Sequence, residues 1–251
     1  MRQSRYYAVL TGDIIKSSRL SPTELESVRA TLTGAVNRAR RWKRGLIHGK
    51  PEFFRGDAWQ LLLADPALAL RVSVHLRASL LATGLADTRV AIGLGEVDEI
   101  ASERVSLSTG QAFVLSGKAL DKMTRYSKMT IEVPQSAGPL SEWLQVVGHL
   151  CDSHIGQWTM RQAELVRAAV HRKEPDSEKI GQTLRPAVSK QAVAKGLSAA
   201  NWYVLREAIR LFEETLWGTV LWQTPQTTEK GCLLPDNQKR LSAARQPKKV
   251  V

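Results

Sequence analysis

The sequence predicts an α+β fold: a single antiparallel sheet with helices on one face, followed by an all-helical unit. Three observations carry that prediction. Short runs of strand-forming residues alternate with amphipathic helical stretches through residues 1–134. Two of these runs flank a turn and read as a hairpin. Behind them apolar residues recur only at helical spacing, and several stretches open on a capping signal.

Tyr6-Tyr7-Ala8-Val9-Leu10 is the first strand, closed by Thr11-Gly12-Asp13. Ser21-Pro22-Thr23-Glu24 starts a helix: Ser21 caps, Pro22 suits the first helical position, and Glu24 completes a capping box. Leu25, Val28, Leu32, Val36 and Ala39 form its apolar stripe. Arg38, Arg40, Arg41, Lys43 and Arg44 crowd its end, which suits the helix dipole as well as an anionic partner. The hairpin follows, with Phe53-Phe54 leading in, Gly56-Asp57 at the tip and Trp59-Gln60-Leu61-Leu62-Leu63 leading out. Asp65-Pro66 opens a second helix, marked by Val72, Leu76 and Leu80 and stopped near Gly84. Residues 88–97 alternate like a strand, with Gly93 and Gly95 where the backbone must come close to something. A third helix over 112–126 and a strand over 129–133 complete the order β-α-β-β-α-β-α-β, that of a ferredoxin-like core.

The pattern loosens over 135–157, which reads as a connecting segment between the first domain and a helical domain at 158–223. There Thr159 and Gln162 form another capping box, Asp176 starts a short helix ending at Leu184, and Ser189 caps the next. A last helix over 202–216 carries Leu205, Ile209, Phe212 and Leu216 on one face. Residues 224–251 form a basic tail, expected to be disordered.

At 43% hydrophobic and 24% charged residues, the chain has the composition of a soluble globular protein. No apolar stretch approaches the roughly 20 residues of a membrane-spanning helix. The N-terminus has no signal-peptide core, and Cys151 and Cys232 show no disulfide or zinc spacing, so a cytoplasmic location is expected. A net charge of +12 points to a polyanionic partner, nucleic acid first, although part of the excess lies in the tail.

Two Gly-Asp steps, Gly12-Asp13 and Gly56-Asp57, are the candidates for chemistry. With the first strand lying between the hairpin and the strand of Gly93 and Gly95, both carboxylates reach the same sheet edge. Carboxylates that close repel, and one binds a proton unless a cation neutralises both. Mg²⁺ suits such a pair, together with nucleotide phosphates. The plainer alternative is that each Asp only stabilises its turn.

These segments resemble class III nucleotide cyclases. Tyr7-Ala8-Val9-Leu10-Thr11-Gly12-Asp13-Ile14, followed by Ser17-Ser18-Arg19-Leu20-Ser21, resembles their first metal-binding segment. Phe54-Arg55-Gly56-Asp57-Ala58-Trp59 resembles their hairpin, and Arg89-Val90-Ala91-Ile92-Gly93-Leu94-Gly95-Glu96-Val97 their glycine-bearing fourth strand. With the helical unit behind them, the three blocks are closer still to the SatD-like family of bacterial proteins. The resemblance implies metal ligation by Asp13, Ile14 and Asp57, and nucleotide contacts by Gly12, Gly56, Trp59, Gly93 and Gly95. It also implies a homodimer, because such sites are often completed across two subunits. Trp59 has the alternative role of a buried strand aromatic. Where those cyclases carry an Asn and an Arg on the helix after the fourth strand, this chain has Val114 and Lys118. Lys118 joins Asp13 and Asp57 as a catalytic candidate, but it offers a point charge in place of a planar fork. Ordinary cyclisation is therefore not expected; nucleotide binding without turnover and other phosphoryl chemistry stay open.

Ile180, Gly181 and Leu184, followed by Val188, Val193 and Leu197, resemble a bacterial helix-turn-helix with a lengthened turn at Arg185-Pro186-Ala187. Ser189, Lys190, Gln191 and Lys195 then fall on the DNA-facing side, where Gln191 suits a base edge and the lysines suit phosphates. A helical unit for packing or dimerisation is the alternative, and Trp202, Trp217 and Trp222 suit it. The function expected is a DNA-binding regulatory protein with a nucleotide- and Mg²⁺-binding sensor domain. The alternatives are a nucleotidyl cyclase or related nucleotidyl transferase using two metals, and a scaffold.

Overall fold

The computed structural model describes residues 6–221 apart from Arg55, Ser102 and Glu103, so Trp222 and the 224–251 tail lie outside the described residues. Strands β1 (Tyr6–Ile14), β2 (Ile47–Phe54), β3 (Ala58–Leu63), β4 (Thr88–Glu96) and β5 (Met129–Glu132) alternate with α1 (Pro22–Arg40), α2 (Ala69–Leu81) and α3 (Gln111–Lys122) in the predicted order. Six helices follow: α4 (Pro139–Ile155), α5 (Met160–Ala169), α6 (Ser177–Thr183), α7 (Lys190–Ala199), α8 (Trp202–Glu214) and α9 (Trp217–Leu221). The capping boxes at Ser21/Glu24 and Thr159/Gln162 both form. Among the described residues no helix is long and apolar enough to cross a membrane.

The sheet runs β2-β3-β1-β4-β5, with β1 at its centre. Its pairs are antiparallel except β4 with β5, which is parallel. The expectation of a wholly antiparallel sheet is corrected here. A strand that returns to its neighbour through a helix runs parallel to it, and α3 makes that crossover.

The placement of helices on one face is corrected as well. Ala8, Leu10, Ile14, Leu61 and Ile92 pack with Val28, Leu32 and Val36 of α1 and with Val72 and Leu76 of α2. On the opposite face Tyr7, Val9 and Leu62 pack with Ala112 of α3. The reason is visible in β1, where Ala8, Val9 and Leu10 are all 0% exposed. A strand apolar on both sides belongs to a sheet covered on both sides. Gly93 and Gly95 admit α3: a Cβ on Gly93 would stand 2.4 Å from the Ala112 carbonyl oxygen, and one on Gly95 3.1 Å from the Ala112 nitrogen.

Helix α2 is buried along nearly its whole length, and α5 packs on it, so one apolar core runs from the sheet to α9. Two buried arginines fasten α2 to its surroundings. Arg77 forks onto Asp87 at 3.0 and 2.8 Å and reaches Asp152 of α4 at 2.7 Å. Arg71 bonds Glu213 of α8 at 2.6 Å and Glu174 at 3.1 Å. Most of 135–157 is helix α4, which lies against β5 closely enough that a Cβ on Gly148 would meet the Thr130 Cα at 3.1 Å.

Candidate functional site

In the register of the sheet, Asp13 of β1 stands opposite Ala58 of β3 and Arg89 of β4. Directly opposed residues of an antiparallel pair share a face, so Asp13 and Arg89 meet. The guanidinium grips the carboxylate as a fork: Nε donates to Oδ1 at 2.8 Å and Nη2 donates to Oδ2. Arg89 Nη1 also donates to the Met123 carbonyl at 3.3 Å. The hydrogen bonding to Asp13 lifts the Arg89 pKa above its ordinary value, partial burial opposes this, and the charges of Asp13, Asp57 and Asp121 add to the rise.

Asp57 is therefore within electrostatic reach of the same guanidinium. It follows Gly56, whose φ of 91° makes the hairpin tip, and its backbone carbonyl accepts the Ile14 N–H at 3.1 Å. Ser17 Oγ donates to Asp57 Oδ2 at 2.5 Å. The structure thus gathers Asp13, Ile14 and Asp57 at one end of β1, with Arg89 as the cation whose field both carboxylates share.

The donor chemistry of this pair suits a divalent cation, but Arg89 takes both oxygens of Asp13. Among the described residues no group of three or more His, Cys, Asp or Glu could hold a metal ion. A cation at Asp13 would have to compete with Arg89 for the carboxylate. Sequence reasoning quoted Arg89 as part of a strand and missed its role. The available signal was its register: a cation facing Asp13 across one strand pair.

Other sequence candidates find different explanations. Trp59 is 1% exposed on the face covered by α1 and α2, and its Nε1 donates to Thr88 Oγ1 at 2.8 Å. Of its two expected roles, nucleotide contact and buried strand aromatic, Trp59 has the second. Gly12 is crowded by protein: a Cβ there would come within 2.5 Å of the Trp59 ring and 2.3 Å of the Arg89 carbonyl. Gly93 and Gly95 likewise make room for α3, while Gly56 serves the turn and its carbonyl accepts from Arg29 Nε at 3.0 Å. The Ile14 side chain is buried in the core. Lys118 is exposed and lines a hollow of about 890 Å³ between α3, β5 and α4, together with Val114, Glu132 and His149. Neither Asp13 nor Asp57 belongs to that lining.

Helices α6 and α7 pack closely. The Val188 N–H donates to the Gly181 carbonyl at 3.2 Å, and a Cβ on Gly181 would stand 2.2 Å from the Val188 carbonyl oxygen. Ser189 Oγ caps α7 by accepting from the Ala192 N–H at 3.2 Å. Val193 and Leu197 are buried, whereas Ser189, Lys190, Gln191 and Lys195 are exposed.

No family model and no curated protein matches this chain. Among solved structures it is similar to the crystal structure of the guanylyl cyclase Cya2, at 19% identity and a TM-score of 0.36, over 51% of this chain and 75% of that one. The architecture established for this chain is a mixed α+β fold with one five-stranded sheet and a following run of helices.

Proposed function

We propose that this chain is a DNA-binding regulatory protein whose sheet portion senses a nucleotide at the Asp13–Asp57 end of β1. The observation that carries the reading is the outer face of α7, where Ser189, Lys190, Gln191 and Lys195 are all exposed on a capped helix packed tightly against α6. Such a face suits a major groove, with lysines on phosphates and Gln191 on a base edge. The net charge of +12 supports a polyanionic partner.

In the sheet portion, Asp13 is engaged by Arg89 and Lys118 lines a separate hollow, which supports sensing over turnover. Asp13 and Asp57 would hold Mg²⁺ once Arg89 is released, and the freed guanidinium is suited to phosphate oxygens. The bound cation would supply charge neutralisation for the carboxylates and the phosphates. The likeness of the quoted segments to class III cyclases agrees with a nucleotide at this end of β1.

Titration of labelled duplex DNA with the full chain tests it, at low and high salt, with and without ATP or GTP and Mg²⁺. Salt-sensitive binding that changes with nucleotide is expected; no salt-sensitive binding in any condition refutes the reading. A second reading, a nucleotidyl cyclase or transferase, draws on the placing of Asp13 and the Asp57 backbone at one end of β1, where two metal-holding carboxylates would be needed. Incubation with each nucleoside triphosphate and Mg²⁺ or Mn²⁺ decides it. Product that disappears in Asp57→Ala supports turnover, and its absence with every triphosphate rejects it.

A further inference from the structure

A second concave site lies away from the Gly-Asp pair. A hollow of about 650 Å³ opens between the C-terminal end of α1 and helices α2, α5 and α6, and its lining includes none of Asp13, Asp57 or Arg89. Arg38, Arg41, Arg167, Lys173 and Lys179 line it, and among the described residues no carboxylate does. Among the described residues Lys179 pairs with Asp176 at 3.4 Å, while Arg38, Arg41 and Arg167 have no ion-pair partner. The arginines act on one another: partial burial, then the charges of Arg167 and Arg41, lower the pKa of Arg38. Unpaired cations held this close are relieved by a bound anion.

The floor is aromatic and deeply set. Trp42 is 9% exposed and His75 3%. Their rings lie 5.1 Å apart, and the His171 ring meets Trp42 edge-on at 5.9 Å. Trp42 Nε1 and both ring nitrogens of His75 are buried without a hydrogen-bond partner, although His75 is drawn toward the Ala35 carbonyl short of full geometry. Buried polar atoms are paired as a rule. Here Trp42 Nε1 and the His75 nitrogen that faces away from Ala35 stand unpaired in the floor of a cationic hollow. Burial, with Arg38 adding to it, pushes His75 down to about 3, so its ring is neutral and offers one donor and one acceptor. Ile180 and Leu184 of the α6 segment supply apolar wall.

We propose that this hollow binds a small phosphorylated molecule with a flat aromatic body, of the nucleoside polyphosphate type. The arginines take the phosphates through planar, charge-assisted contacts, and the Trp42–His75 floor takes the body. The volume falls in the range of small-ligand sites. A duplex backbone would meet the arginines at the rim but not the buried floor, which favours a small ligand over nucleic acid. With arginines and no described carboxylate in its lining, the hollow itself offers no ligand that needs a divalent cation to neutralise it.

Calorimetric titration of the full chain in EDTA tests this, with ATP and inorganic pyrophosphate as probes. The chelator silences metal-dependent binding at Asp13 and Asp57. ATP is expected to bind saturably and more tightly than pyrophosphate. The double variant Arg38→Gln/Arg167→Gln is expected to weaken ATP by about tenfold or more, while Asp57→Asn leaves it unchanged. Thermal melting verifies that both variants fold, which is expected because neither arginine supports a partner. No saturable ATP binding, or binding unaffected by the double variant, overturns the proposal. Pyrophosphate binding as tight as ATP overturns the aromatic part of it. Loss of ATP binding only in Asp57→Asn overturns it and places cation-independent ATP binding at the β1 end instead. Loss of duplex DNA binding in the double variant, without ATP binding to the wild type, assigns the arginines to a DNA backbone instead and also overturns it.

Discussion

Replacing Arg89 by Met keeps the aliphatic stem and removes the cation that neutralises Asp13, so the carboxylate pair must then be neutralised from solution. The grip being removed consists of two charge-assisted hydrogen bonds to Asp13 and a longer one to the Met123 carbonyl. Hydrogen bonds to charged groups contribute about 1.5–3 kcal/mol each. The Arg89 and Asp13 side chains are 31% and 21% exposed, however, so solvent screens the pair. Exposed ion pairs net up to about 1 kcal/mol, and this partly buried fork lies above them and below its two unscreened bonds. A divalent cation that has to displace Arg89 is therefore opposed by about 1–3 kcal/mol. At about 1.4 kcal/mol per decade, Arg89→Met should tighten cation binding by about fivefold to about 150-fold. Titration with Mn²⁺, following the free ion by electron paramagnetic resonance, measures this directly on the full chain. Adding Asp13→Asn should abolish the gain. Unchanged or weaker Mn²⁺ binding in Arg89→Met would show that Arg89 does not compete for the site, and the reasoning fails.

Further predictions concern the frame and the second helical face. Arg77→Met leaves Asp87 and Asp152 buried with Lys128, 3.3 Å from Asp87, as the remaining paired cation among the described residues, and should cost about 3–5 kcal/mol in urea unfolding. Adding Asp87→Asn and Asp152→Asn should recover much of it. Gly93→Ala drives a Cβ into the Ala112 carbonyl and the Ser116 nitrogen of α3 and should cost about 1–3 kcal/mol, whereas Gly117→Ala, which meets nothing within 4 Å, should be neutral or stabilising by thermal melting. His75 is depressed to about 3 when folded, against 6.5 ordinarily, so between these values the unfolded chain binds more protons and stability rises with pH. Acidification from about pH 7 to about pH 5 should therefore remove up to about 2 kcal/mol through His75, and His75→Gln should flatten that part of the pH profile of urea unfolding. Lys190→Ala and Lys195→Ala should each lower the salt slope of duplex DNA binding by about one, without changing thermal stability.

Local signals made much of the architecture legible. Ser21/Glu24 and Thr159/Gln162 form the capping boxes that their spacing calls for, because a cap closes over three residues and needs no distant partner. The element order through β5 follows from periodicity, which each segment carries within itself. The placing of Asp13 and Asp57 at one end of β1 followed from chain order once β1 was set beside the hairpin. Strand direction and helix side are not legible in the same way, since both depend on where α3 crosses, over the second face of the sheet. That information lay in the unbroken apolar run of β1 and in two glycines whose neighbours come from α3, all read one strand at a time.

The site divides along the same line. Sequence alone determined which residues carry charge, where turns fall and which helices are capped, because these are properties of single residues and short windows. Tertiary structure alone decided that Arg89 answers Asp13, that Trp59 is buried against Gly12, and that Lys118 lines another hollow. It likewise brought Arg38, Trp42, His75 and Arg167, from three separate helices or their ends, around one cavity. Such partnerships join residues tens to more than a hundred positions apart, and only strand register and helix packing bring them within reach of a hydrogen bond or an unscreened charge.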